Sequence, residues 1–133
     1  MTRVPCGLLA LALLVGVWLA GAAPASAQGV ERFTLLVTGA SGEARYESRH
    51  EEWRGRFIAA LRDQPGFTDE HLVVLGETPG PGVGRASREG VRAAVDQLAA
   101  RMTERSVLHV VLIGHGSFDG VDAKFNLVGP DLS

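Results

Sequence analysis

The stretch VVLIGHGSFDG, residues Val110 to Gly120, carries the reading from which the fold follows. A run of β-branched and aliphatic residues stops abruptly at Gly114-His115-Gly116. Short apolar runs closed by glycine read as buried strands, so a strand is expected over residues 107–113, with a histidine at its carboxyl end. That histidine has two readings: a base at a site edge, or a polar residue in a strand-ending turn.

Working upstream, Ser87 is the expected cap of a helix whose buried stripe is Val91, Val95, Leu98 and Met102. The stretch ETPGPGVGRA before it is a loop by composition. HLVVLG, residues 71–76, is a second apolar strand. A helix is expected over residues 49–63. Its Ser48-Arg49-His50-Glu51 start has the form of a capping box, and Trp53, Phe57, Ala60 and Leu61 recur at helical spacing. Pro65-Gly66 ends it. RFTLLVT, residues 32–38, is the first strand, closed by Gly39 and Gly42. Downstream, Phe125-Asn126-Leu127 is a candidate short strand, and Gly129 to Ser133 looks like the lead-in to another helix.

The order strand, helix, strand, helix, strand predicts an α/β fold, a three-layer sandwich with a mostly parallel sheet and right-handed crossovers. Strands apolar on both faces fit a sheet covered on both sides. Three core strands are few for such a sheet, so a chain truncated after the third is expected.

The amino terminus reads differently. Arg3, the apolar run LLALALLVGVWLA (residues 8–20) and Ala25-Ser26-Ala27 together form a secretory signal peptide over residues 1–27. The apolar run is shorter than the roughly 20 residues a membrane span needs. The protein is therefore expected to be exported to a periplasmic or extracellular space, with no membrane attachment after cleavage. Residues 28–133 then form the N-terminal part of a single α/β domain. They hold 12 Lys/Arg, because Arg3 is the only cation ahead of them, against 15 Asp/Glu, a net charge of −3. No basic block is present, so nucleic acid is not an expected partner. The only cysteine, Cys6, lies ahead of the apolar run. The mature stretch thus offers no disulfide, no thiolate metal ligand and no thiol nucleophile.

In open parallel sheets, ligands bind beyond the carboxyl ends of the strands, where strand order reverses. If strands one and three are neighbours with strand two outside, two Gly-rich turns face that crevice: Thr38 to Gly42 and Gly114 to Ser117. Glycine there lets a backbone approach a substrate and leaves amides free for an oxyanion. His115 at the mouth would offer an imidazole, a group that can take and return a proton.

The segment VVLIGHGSFDGVDAKFNLVGPDLS resembles the histidine segment of the caspase-like cysteine peptidase superfamily, closest to the legumain-like branch and its bacterial relatives. Gly39 at the end of the first strand and Ser87-Arg88-Glu89-Gly90-Val91 opening a helix add to the likeness, which spans residues 32–133. The resemblance implies that His115 is the catalytic histidine and the Gly116 amide an oxyanion donor. It further implies a cysteine at the end of a following strand, acyl transfer through a thioester, and a peptide or protein substrate. A chain without that cysteine would instead be a catalytically silent module that binds a peptide or protein partner in the same crevice.

Other motifs point less far. A dinucleotide fingerprint on the first turn would need glycine at position 45, which is Arg45. Arg45 itself, on the crevice side of the first strand, is a candidate for binding a substrate carboxylate, or a solvated loop arginine. No metal site or cofactor is expected. His109 and His115 lie about 20 Å apart along one strand, and Asp119-Gly120-Val121-Asp122 reads as an ordinary turn. Residues 79–84 lack the lysine of a phosphate-binding loop, and Ser117 does not sit in a G-x-S-x-G elbow.

Overall fold

The computed structural model describes residues 29–133, so the expected signal peptide lies outside the described residues. The chain runs β1 (Glu31–Thr38), α1 (Ala44–Arg62), β2 (Leu72–Gly76), β3 (Gly84–Arg85), α2 (Arg88–Ala99), β4 (Ser106–Ile113), β5 (Gly116–Phe118) and β6 (Ala123–Phe125). Four strands form one all-parallel sheet in the order β3-β2-β1-β4. The first and third expected strands are therefore neighbours, with the second outside. β5 and β6 form a separate antiparallel ribbon.

β1 is the centre of the core, buried from Phe33 through Thr38. Its alternation assigns the two sheet faces. Phe33, Leu35 and Val37 share one apolar cluster with Ala94 and Leu98 of α2. Thr38, on the alternate face, lies 3.5 Å from the Arg54 guanidinium of α1. The helices thus cover opposite faces, giving the expected α/β arrangement of three layers.

Several local expectations need correction. α1 begins at Ala44, and Ser48 does not cap it; its hydroxyl donates back to the Ala44 carbonyl at 3.3 Å inside the helix. The start is fixed by tertiary contacts. The Ser41 amide donates to Glu77 Oε2 at 2.9 Å, and the amides of Tyr46 and Glu47 close the first turn on the Glu43 carbonyl. Trp53 is 46% exposed, and the buried residue of the helix is His50. On α2, Ser87 caps as expected, accepting from the Gly90 amide at 3.1 Å. Ala94 takes the buried position assigned to Val95, which is exposed.

The Gly-rich loop contributes a strand, β3, paired with the end of β2. β4 is not covered on both faces, since Val107, Val110 and Leu112 are exposed. The carboxyl-terminal segment forms no helix. Leu132 pairs across to Phe125, the Asp131 carboxylate accepts the Leu127 amide at 3.2 Å, and Leu127 is buried in the core. Instead of adding a core strand, Phe125 ends β6 and the chain folds back over the carboxyl end of the sheet.

Candidate functional site

The carboxyl ends of β1, β2 and β4 bring together the buried polar residues Thr38, Ser41 and His50. Two crossings build this end. The Gly39 amide donates to the Ile113 carbonyl at 2.9 Å, extending the β1–β4 ladder by one residue. The Ala40 amide donates to the Asn126 carbonyl at 2.9 Å, and the Asn126 amide to the His115 carbonyl at 3.0 Å. Residues 125–126 are thereby laced to the ends of both central strands.

The glycines permit this lacing. A Cβ on Gly39 would stand 2.2 Å from the Asn126 carbonyl oxygen and 2.8 Å from the Phe125 ring. A Cβ on Gly114 would stand 3.1 Å from the same ring. The expected open crevice between the two Gly-rich turns is therefore filled by Phe125 and Asn126. In the first turn the amides of Gly39, Ala40 and Ser41 all donate within the protein.

Gly116 differs. The bond from the Asn126 amide to the His115 carbonyl makes Gly116 and Phe125 a non-hydrogen-bonded pair of the antiparallel ribbon. In such a pair both amides point away from the partner strand. The Gly116 amide is thus turned outward on an exposed residue next to His115.

His115 is exposed, and α1 faces its ring. Tyr46 meets it edge-on, with centroids 4.8 Å apart at 87°, and the His50 ring lies 5.6 Å away. His50 is 4% exposed, and its Nδ1 is buried without a partner. Burial lowers the His50 pKa below the usual histidine value, and the neighbouring His115 adds to the effect. Glu77 and a backbone hydrogen bond with Gly39 pull the other way. His50 also lines a cavity of about 10 Å³, the size of one water molecule, together with Thr38, Glu47, Arg54 and Glu77. A larger concavity of about 640 Å³ lies at the opposite, amino end of the sheet, beside Thr34, Leu61 and His109.

Arg45 enters the same neighbourhood from its exposed side. Its Nε pairs with Glu43 Oε2 at 2.9 Å, and its guanidinium lies 4.7 Å from the Tyr46 ring centroid. Tyr46 therefore contacts both the Arg45 guanidinium and the His115 ring, with Glu43 competing for the guanidinium. Asp119 accepts the amides of Val121 and Asp122 at 3.0 and 2.8 Å, as a turn aspartate does. Those amides, Asp122 first, lower its pKa. Among the described residues no group of three or more His, Cys, Asp or Glu is placed to hold a metal.

Tyr46, His50 and Glu77 are absent from the sequence reading of the site. Once a helix is known to cover residue 46, the i,i+4 spacing of Tyr46 and His50 puts both on one face. Glu77, directly after β2, ends its strand on the same side as Gly39 and His115. Comparison with family models, curated proteins and solved structures returned no match to the chain.

Proposed function

We propose that residues 29–133 are the histidine-bearing part of an exported cysteine peptidase domain of the caspase-like, legumain-like type. The observation that carries this reading is the juxtaposition at the end of β4. An exposed imidazole on His115 stands next to a Gly116 amide that no ladder partner uses, at the side of β1 where strand order reverses. A base beside an unengaged donor is what acyl transfer needs.

The chemistry follows from those two groups. A thiolate attacks the scissile carbonyl carbon, and the Gly116 amide donates to the oxygen as it becomes negative. The C–N bond breaks as His115 passes its proton to the leaving amine. Water then attacks the thioester as His115 takes one of its protons, and the C–S bond breaks to give the free acid and a thiolate beside the protonated His115. Residues 29–133 contain no cysteine, so the thiol in this proposal comes from outside them. Arg45, beside Tyr46, is the proposed contact for an acidic group on the peptide.

A second reading draws on the same lack of a thiol: a silent module that binds a peptide or protein partner at this end of the sheet. A thiol-reactive peptide probe separates the two. On the full-length protein it labels a cysteine outside these residues, and His115→Ala slows labelling by about 10²- to 10⁴-fold, the usual range for a general acid–base residue. Unchanged labelling in His115→Ala overturns the peptidase reading. Peptide binding with no labelled cysteine establishes the silent module.

A further inference from the structure

His115 occupies a turn with glycine on both sides, on an exposed stretch of chain. Its backbone is fixed by the Asn126 amide, but a backbone anchor leaves the side chain free to rotate. Catalysis by a histidine normally requires a third group to hold the ring, most often through a hydrogen bond to one of its nitrogens. Here the contacts to the ring are aromatic, and both come from α1.

We infer that Tyr46 and His50 are positioning residues that seat the His115 imidazole against α1. The inference rests on the proposed role of His115 and adds how that role is supported. The two side chains are four residues apart on one helix face, which places their rings one turn apart along the helix. Tyr46 presents a perpendicular contact and His50 a tilted one, so the imidazole is bounded from two directions. His50 is itself confined, being 4% exposed with its ring 6.0 Å from that of Trp53 at a tilt of 32°.

The charge state of His50 suits this task. The charged and titratable groups around it are Glu47, Glu51 and Arg54 on α1, Glu77 after β2, and His115 after β4, with a backbone hydrogen bond at Gly39. Burial favours its neutral form, and a neutral ring does not oppose the positive charge that His115 acquires as a base. The unpartnered Nδ1 is a cost that a phenyl ring would avoid.

The test is NMR of the 133-residue chain with labelled histidine, read alongside probe labelling of the full-length protein. In the unsubstituted chain the His115 ring protons carry ring-current shifts and a single side-chain rotamer. Tyr46→Leu abolishes the shifts and averages the rotamer, whereas Tyr46→Phe preserves both, with amide dispersion confirming that each variant folds. His50→Phe keeps the rotamer, and His50→Ala loosens the ring. In the full-length protein, Tyr46→Leu slows labelling by about 10²-fold, the scale of a misplaced catalytic group, and Tyr46→Phe restores it. A rotamer-averaged His115 ring in the unsubstituted chain, or one unmoved by Tyr46→Leu, overturns the inference. A well-seated ring combined with undiminished labelling in His115→Ala overturns the proposed function alone.

Discussion

Gly39→Ala tests whether the carboxyl end of the sheet is closed by the chain's own residues. The new Cβ would sit 2.2 Å from the Asn126 carbonyl oxygen and 2.8 Å from two atoms of the Phe125 ring, where ordinary contact begins near 3.4 Å. Relief requires about 1 Å of movement between two backbone segments, and overpacking of that kind costs about 1–3 kcal/mol. The movement also breaks the hydrogen bond from the Ala40 amide to Asn126, worth about 1 kcal/mol. The expected loss is about 2–4 kcal/mol, or about 10–25 °C in Tm for a domain of this size. Two other glycines provide internal controls. Gly55 lies mid-helix on α1 with nothing within 4 Å of an added Cβ, so Gly55→Ala should stabilise by about 0.5–1 kcal/mol. Gly42 also has open space but a φ of +74°, so Gly42→Ala should cost about 1–2 kcal/mol through backbone strain alone. Urea unfolding followed by circular dichroism ranks all three on one scale. A Gly39→Ala protein within about 0.5 kcal/mol of the parent, in the range of neutral surface changes, would refute the closure of this end by Phe125 and Asn126.

Three further outcomes are expected. His50 has its folded-state pKa lowered below 6.5, so the unfolded chain takes up its proton first as pH falls. Stability should therefore decline from about pH 6.5 down to the folded-state pKa, with a slope of at most about 1.4 kcal/mol per pH unit, and His50→Phe should flatten that stretch of the curve. Leu98→Ala, at a fully buried position of α2, should cost about 2–5 kcal/mol in the same unfolding assay. Val110 is 53% exposed on β4, which pairs only with β1 among the described residues and carries no Asp, Glu, Lys or Arg. Val110→Lys should reduce self-association measured by light scattering, because a lysine on an open edge blocks strand-to-strand pairing, and should change stability by less than about 1 kcal/mol.

The layer order was legible because it rests on apolar runs and on helices bounded by proline and glycine. β1, β2 and β4 start and end within a residue or so of expectation, and Ser87 caps α2 as its side chain suggests. What the sequence hid was tertiary. The capping box at Ser48 is a strong local signal, yet α1 starts at Ala44, where Ser41 is held by Glu77 after β2. Losing one turn of helix in the reading removed Tyr46 from the helix and with it the contact to His115. The two-residue β3 has no apolar pattern to announce it, since its partner is supplied by the end of β2. Phe125-Asn126-Leu127 was legible as extended chain, but not as the segment that fills the crevice. Only the close approaches at Gly39 and Gly114 reveal that use.

These glycines change what the Gly-rich turns signify. A glycine at the end of a parallel strand is commonly read as room for a ligand, but here it is room for the protein's own backbone. The consequence for His115 is mechanical. Its carbonyl is held by the Asn126 amide, Asn126 in turn receives the Ala40 amide, and Ala40 follows Gly39. The position of the imidazole is thus set from two sides: its backbone through this chain of hydrogen bonds from β1, its ring through Tyr46 and His50 on α1. Gly39→Ala should therefore disturb His115 mainly from the backbone side, reaching α1 only through the Gly39 backbone bond to His50, and Tyr46→Leu should disturb it from the ring side while leaving the lacing intact. If the two act independently, the double substitution should sum their stability costs, as expected for sites without a shared partner. His115 is the partner they share, so a departure from additivity would measure how far its seat and its anchor act as one unit.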